Sequence, residues 1–150
     1  MKTPADSLSE FLKNKSYFKI KMHPIASNHF KIISKINGVK GVFILDTGAS
    51  TTFVDLKLKD TFKLTTESST IKAHGAGRDK IDTLLSKKNT LSIGGWIKKR
   101  FPISLMDLSY VNDAFESIDT PAVDGIIGAD ILKKGFAVID YEKRYLYLKH

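Results

Sequence analysis

An apolar run at residues 42–45 leads directly into an acid, a hydroxyl residue and a glycine, namely Asp46, Thr47 and Gly48. A strand that ends in this way delivers a carboxylate to a tight turn. In that turn the threonine can hydrogen-bond to the backbone, and the glycine lets another chain come close. Turn residues at an ordinary strand end have the same composition, so this segment alone leaves both interpretations open. The segment predicts a strand followed by a turn. It also makes Asp46 the first candidate for a chemically active residue.

A second informative element lies near the other end of the chain, where Ile126, Ile127 and Gly128 precede a short helical pattern. Together the two elements resemble the retropepsin-like aspartic proteases in their single-domain form. That family has apolar residues before Asp-Thr/Ser-Gly-Ala/Ser, and later an apolar-apolar-Gly that opens a short helix. Residues 43–50 match the first part, and residues 73–78 stand where the family has its glycine-rich flap hairpin. The resemblance extends over about residues 30–148 and implies an all-β closed barrel with one short helix after the second glycine motif.

Length and composition indicate an ordinary globular chain. The 150 residues suit one domain, with 42% hydrophobic and 27% charged residues, and we predict an N-terminal extension at 1–16 before a protease domain at 17–150. Cysteine is absent, which excludes disulfides, thiolate metal ligands and a cysteine nucleophile. The net charge of +8 is scattered along the chain without a recognition helix, so we predict no specific nucleic-acid partner. No apolar run has membrane-spanning length, and a cytoplasmic location is the default expectation.

The pattern of short alternating segments and frequent turns predicts an all-β domain. Asn37-Gly38 and Gly94-Gly95 predict two hairpins. Pro102 predicts an edge or entry position for its strand, and residues 107–122 predict a surface loop with some local helix. Residues 129–134 predict a short helix that Gly135 ends, and Asp6 or Ser7 is expected to cap a short N-terminal helix.

A single acid of this kind cannot complete the chemistry that the resemblance implies. Peptide hydrolysis without a metal or a covalent nucleophile needs one group to activate water and another to polarise the carbonyl, and two carboxylates that share a proton do both. The chain has one Asp-Thr-Gly, and we interpret Asp124 and Asp130 as turn or helix-cap acids rather than as the missing partner. The simplest solution is a homodimer in which the two copies of Asp46 meet on a twofold axis. No cofactor and no metal is expected.

The resemblance also implies the roles of the residues around Asp46. Thr47 and Gly48 would support the pair of acids, and the flap would close over an extended peptide or protein substrate. An apolar preference is expected from four nearby residues, namely Ile44, Val54, Ile126 and Ile127. The predicted substrate contacts are Gly48, Ala49, Ser50, His74, Gly75, Ala76, Gly77 and Ile127.

Two alternatives from other classes remain open from the residues alone. One is a catalytically silent module that keeps the fold, binds extended peptides and dimerises; the intact Asp46-Thr47-Gly48 argues against it. The other treats Asp46, Gly48 and Ser50 as part of a phosphate-handling loop of the sugar-kinase and actin type. That interpretation needs a much larger two-lobed chain, and the sequence has no glycine-rich loop that carries a lysine.

Overall fold

The computed structural model describes residues 4–75 and 78–150, with side chains described for 7–68 and 82–150. In this part of the chain the structure is mainly β, with three short helices and one 3₁₀ turn at Leu56–Leu58. The helices are α1 Pro4–Asn14, α2 Ser109–Glu116 and α3 Ala129–Lys134. The strands are β1 Phe18–Lys21, β2 His23–Pro24, β3 Phe30–Ile36, β4 Val39–Leu45, β5 Phe53–Asp55, β6 Glu67–Gly75, β7 Arg78–Ile93, β8 Trp96–Met106, β9 Gly125–Ile127, β10 Val138–Asp140 and β11 Tyr145–Leu148.

Six of these strands close into a barrel, which confirms the predicted fold class. The strands follow one another around the ring in the order β3, β4, β9, β5, β8 and β7, and β7 returns to β3 through the pairs Lys35–Ser92 and Ile36–Leu91. The strands β2 and β6 extend this sheet beyond the ring. Fully buried side chains fill the barrel because alternate residues of each strand point inwards. They include Ile32, Phe43, Val54, Trp96, Ile103 and Ile127.

The position of β9 determines where the functional elements meet. This strand lies between β4 and β5, parallel to β4 and antiparallel to β5. Because β4 and β9 are parallel, their carboxyl ends lie at the same edge of the barrel. The turn after Leu45 and the start of α3 after Ile127 are therefore neighbours, although about 80 residues separate them in sequence.

A second, smaller sheet contains the first and the last strand of the chain. Its order is β1, β11, β10, and the indole N–H of Trp96 donates to the carbonyl of Lys149 beside it at 3.0 Å. Helix α1 lies along this sheet, with Leu12 buried and the Lys19 ammonium donating to the Ser9 hydroxyl at 3.2 Å. The division into an extension and a protease domain stays a prediction.

Helix α1 begins earlier than the sequence indicated. It is described from Pro4, so the prediction that Asp6 or Ser7 caps it is wrong, because both residues lie inside its first turn. Proline is favoured in a first turn because it has no N–H to leave unpaired there. No helix among the described residues is long and apolar enough to cross a bilayer.

The predicted hairpin turns are confirmed. Asn37 and Gly38 both have positive φ, 51° and 84°, which matches a two-residue primed turn between β3 and β4. Gly94 and Gly95 connect β7 to β8 at the pair Ile93–Trp96, and of these two glycines Gly94 alone has a positive φ, 58°. Gly135 follows the last residue of α3, also as predicted.

The expectation that Pro102 marks an edge or entry position of its strand is wrong, because this residue lies in the interior of Trp96–Met106. Its strand, β8, lies between β5 and β7. The β7–β8 register shifts between the pairs at Ser86 and Asn89, and pairing with β5 begins only at Ser104. The proline is thus accommodated at a bulge, where a missing N–H removes no regular ladder bond.

Candidate active site

The loop after β4 presents Asp46 at the surface. Its backbone N–H donates to the carbonyl of Ile127 at 2.9 Å, and its carbonyl accepts from the N–H of Ala49 at 3.2 Å, which closes a turn. The Gly48 N–H donates to the Asp46 carboxylate at 2.9 Å and orients it. The Asp46 side chain is half-buried, and Thr47, Gly48 and Ser50 are exposed. The loop therefore holds a carboxylate in a fixed orientation at an accessible edge of the barrel.

The start of α3 packs against this loop and supports it. The N–H of Ala129 donates to the carbonyl of Ala49 at 2.7 Å, which joins the helix directly to the turn. A Cβ at Gly128 would lie 2.7 Å from the carbonyl oxygens of both Ala49 and Thr51. Only a residue without a side chain allows this approach, so Gly128 is required by packing rather than by its dihedral angles.

A buried hydrogen-bond network adds a second connection between the two elements. The Thr52 hydroxyl donates to one Asp130 carboxylate oxygen at 2.7 Å, and the Thr52 N–H donates to the other at 3.0 Å. The same hydroxyl accepts from the N–H of Gly128 at 3.1 Å, and the Ile131 N–H donates to Asp130 at 2.8 Å. Thr52 is 1% exposed and its bond with the Gly128 N–H is buried, so a lost partner there is costly.

The sequence interpretation missed Thr52. Nothing in the residue order distinguishes it from the neighbouring Thr51, because its importance comes from burial beside a helix some 76 positions later. Asp130 fulfils the prediction of a structural acid, although it is not the cap itself. The capping position of α3 belongs to Gly128, and Asp130 lies in the first turn.

Asp124 is also engaged structurally. Its carboxylate accepts from the N–H of Val42 at 2.8 Å, and its own N–H donates to the Val42 carbonyl at 2.8 Å. Its carbonyl accepts from the N–H of Asp55 at 2.9 Å. This residue therefore fastens β4 to β5 at the entrance of β9, as expected of a turn acid.

Two of the apolar residues that were expected near substrate are in the core instead. Val54 and Ile127 are both 0% exposed and belong to the barrel interior, so the prediction that the Ile127 side chain contacts substrate is wrong. Strand alternation explains the error, because adjacent residues of β9 point to opposite faces. Ile126 is half-buried and lies on the outer face, and Ile44, although 4% exposed, also lies outside the main core.

The predicted flap coincides with an antiparallel hairpin. Strands β6 and β7 pair through Lys72–Asp82 and close at Gly75–Arg78. His74 and Gly75 are the last residues of β6, and only their backbone is described. Ala76 and Gly77 lie outside the described residues. The hairpin is thus confirmed, and its role as a flap stays a prediction.

The chemistry available in one chain is that of a single positioned carboxylate. Such a group can accept or donate a proton, but it cannot act as acid and base in the same step. Among the described residues, no group of three His, Asp or Glu side chains is arranged to hold a metal ion.

Comparison with known proteins agrees with this geometry. The family described as "Aspartyl protease" matches residues 32–131, which is two thirds of the chain. None of the curated proteins matches the chain in sequence.

Among solved structures, a retropepsin-like aspartic protease from Rickettsia conorii is 19% identical, with a TM-score of 0.56, over 88% of this chain and 90% of that one. The EIAV protease in complex with the inhibitor HBY-793 is 20% identical, with a TM-score of 0.55, over 74% and 91%. The retroviral protease-like domain of Ddi1 from Leishmania major is 20% identical, with a TM-score of 0.54, over 79% and 86%. The chain therefore belongs to the aspartyl protease family and has the retropepsin-like fold.

Proposed function

We propose that the protein is a homodimeric aspartic endopeptidase in which Asp46 of each subunit forms one shared catalytic pair. The observation that carries this proposal is the accessible, oriented carboxylate of Asp46 at the rim of the barrel. The nearby acids Asp124 and Asp130 are both engaged in backbone and hydroxyl hydrogen bonds. A second copy of Asp46 is therefore the best source of the second carboxylate.

The shared pair would divide the work of hydrolysis. Two like charges a few ångströms apart resist simultaneous ionisation, so the pair retains one proton. The ionised carboxylate removes a proton from water, and the protonated one donates to the carbonyl oxygen of the scissile peptide. The Gly48 N–H keeps each carboxylate in orientation, and Thr47 is exposed where it can reach the partner's loop.

An exposed aromatic residue beside the loop supports a subunit contact there. Tyr141 is 68% exposed and its ring packs edge-on against that of Phe30, with centroids 5.4 Å apart. Phe30 pairs directly with Leu45, the residue before Asp46. Tyrosine is enriched in interfaces because it offers a large rigid surface with a polar end. A twofold contact at this position would bring the two Asp46 loops towards each other.

Substrate would bind as an extended polypeptide over the loop. The backbone of residues 48–50 lies beside the carboxylate. The N–H and carbonyl of Ala49 are bonded within the protein, so Gly48 and Ser50 would pair with a peptide in the manner of an added strand. The hairpin of β6 and β7, which closes at the pair Gly75–Arg78, would cover the bound peptide and exclude water.

Subunit mixing tests the shared site. Asp46→Asn keeps an oxygen for the Gly48 N–H but cannot supply the ionisable group, so a mixed dimer has half a site. Exchanging wild-type subunits with an excess of this variant should reduce cleavage of a peptide library as the square of the wild-type fraction. Dilution of the wild type alone should lower the specific activity as the dimer dissociates.

The control is Asp113→Asn, an exposed change on α2, mixed in the same proportion. It should leave the activity per subunit unchanged. Activity that falls only in proportion to the wild-type fraction, and persists at any dilution, would mean that one chain is sufficient. Dimers that bind peptides without cleaving them would support the silent module instead.

A further inference from the structure

A cavity of about 390 Å³ lies at the base of the β6–β7 hairpin, and none of its lining residues belongs to the Asp46 loop or to α3. One wall is the segment 63–67, which leads into β6, and the other is residues 85–89 in the middle of β7. The pair Glu67–Leu85 of the hairpin joins the two walls. A cavity of this volume suits a small organic molecule better than a single ion.

The wall that β7 contributes carries a bulge. Pairing with β8 passes from Ser86 to Asn89 on β7 while β8 advances by only two residues. Lys87 and Lys88 lie between these two positions, and both are exposed. Consecutive residues of a regular strand point to opposite faces, but the extra residue of a bulge breaks this alternation. Both lysines can therefore line the same cavity, as the structure shows.

Buried hydrogen bonds fix this bulge and join it to the opposite wall. Asn89 is 3% exposed, and its amide donates to the carbonyl of Ser86 at 3.0 Å. The Asn89 side-chain oxygen accepts from the amide of Asn37 at 2.9 Å, and the same Asn37 group donates to the carbonyl of Phe62 at 2.9 Å. Phe62 directly precedes Lys63 of the opposite wall. Both walls are thus held in place without a ligand, which lowers the ordering cost of binding one.

The cavity has an excess of positive charge. Lys63, Lys87 and Lys88 line it together with one acid, Glu67, which leaves two uncompensated positive charges. The Lys87 ammonium lies 2.9 Å from the Glu67 carboxylate, whereas Lys63 and Lys88 form no ion pair with a described carboxylate. A lysine ammonium is a compact charge with three donors, and it binds phosphate oxygens well. Lys63 and Lys88 are therefore the cations that a ligand in this cavity would meet.

We propose that the cavity binds a small phosphate monoester, with the phosphate group between Lys63 and Lys88. Such a group carries a charge of about −1.5 to −2 at pH 7, which matches the two uncompensated lysines. A single carboxylate would leave one of them unmatched. The hydroxyls of Thr65 and Thr66, which also line the cavity, add neutral donors, and the half-buried Leu85 offers an apolar contact to the organic part.

Calorimetric titration of the complete chain at physiological ionic strength tests this site, with phenyl phosphate as the probe. Phenyl sulfate has a similar shape and less negative charge, and inorganic phosphate lacks the organic part, so both should bind more weakly. Lys63→Gln and Lys88→Gln should each weaken the binding of phenyl phosphate by about 5-fold, the upper range for one exposed ion pair. Lys40→Gln removes the same charge from an exposed position on β4 outside the cavity and should leave the affinity unchanged.

The location of the ligand is measured separately by amide chemical shifts in NMR titrations. Phenyl phosphate should move the signals of residues 63–67 and 85–89 more than those of the Asp46 loop. Shifts confined to other residues would overturn the site.

Several results of the calorimetric titrations would contradict the proposal. These are no binding of phenyl phosphate at millimolar concentration, equal weakening in all three lysine variants, and binding of phenyl sulfate or inorganic phosphate as tight as that of phenyl phosphate. A phosphoserine peptide that bound more tightly than phenyl phosphate would contradict the assignment to a small molecule. All of these titrations measure binding, so they succeed or fail whether or not the protein cleaves peptides.

Discussion

The carboxyl ends of β4 and β9 lie side by side, and each is followed by an aspartate with a different use. Asp46 follows β4 in an exposed loop and accepts a hydrogen bond from Gly48, two residues along its own turn. Asp130 follows β9 by three residues and accepts from Thr52 N–H, Thr52 hydroxyl and Ile131 N–H. The Asp46 carboxylate keeps acceptor positions that a substrate could use, whereas those of Asp130 are largely used by hydrogen bonds within the protein.

This contrast shows that the surroundings of a carboxylate decide whether it is available to a substrate or serves as a structural hydrogen-bond acceptor. The residue type does not decide this. A carboxylate has about four acceptor positions, so three strong donors leave Asp130 little capacity for another partner. Its bonds hold Gly128 and Thr52 together, and these residues form the base on which the Asp46 loop rests. In the proposed function, Asp130 thus supports the loop that presents the accessible acid to substrate.

The largest effect should come from removing the accessible acid. We expect Asp46→Asn to lower kcat by about 10²-fold to 10⁴-fold or more, the usual contribution of acid–base catalysis. The free energy of unfolding should change by less than about 0.5 kcal/mol, because the amide oxygen still accepts the Gly48 N–H at a partly exposed site. Peptide turnover and chemical denaturation measure the two quantities. Substantial turnover in the variant would transfer the chemistry to another group.

A smaller effect is expected from Gly128→Ala. This change acts on the contact between the start of α3 and the loop after β4. The added Cβ meets backbone atoms of Ala49 and Thr51, which cannot rotate away, so the loop must shift. We expect a loss of about 1–3 kcal/mol in the free energy of unfolding, with lower kcat in the molecules that remain folded.

Gly135→Ala at the opposite end of α3 is the matched control. Its Cβ meets the Leu148 side-chain tip at 2.6 Å, and the backbone carbonyl of Ile131 only at 3.4 Å. Denaturation should detect some destabilisation, but kcat per folded molecule should stay at the wild-type value. Equal losses of kcat in both variants would mean that Gly128 has no special relation to the Asp46 loop.

The smallest effect is a coupling between Thr52 and Asp130. Thr52→Val leaves the buried Gly128 N–H unpaired, and Asp130→Asn turns one acceptor towards the Thr52 N–H into a donor. Each should cost about 1–3 kcal/mol in the free energy of unfolding. In a double-mutant cycle we expect their effects to be non-additive by about 1 kcal/mol. Additive losses measured by urea denaturation would show that the hydrogen bonds do not act together.

Several elements could be predicted because their causes are local. Asn37-Gly38 dictates its hairpin through positive φ at both residues, and Gly135 ends α3 at the expected position. The strand that leads into Asp46 follows from the apolar run at residues 42–45 and the turn after it, and the structure has this strand at Val39–Leu45. The local helix expected within residues 107–122 could not be assigned its packing, because Val111 and Phe115 meet β4 and β5 only in the folded chain.

The sequence alone determined which acid is a candidate for chemistry, that it follows a strand, and that the chain is a β-rich domain with a short helix near its end. These properties depend on turn chemistry and alternation over a few residues. Only the tertiary structure decided that β9 inserts between β4 and β5, that Thr52 binds Asp130, and that Ile126 rather than Ile127 faces outwards. Such contacts join segments about 80 positions apart, and strand order and register decide them, so no local pattern could have specified them.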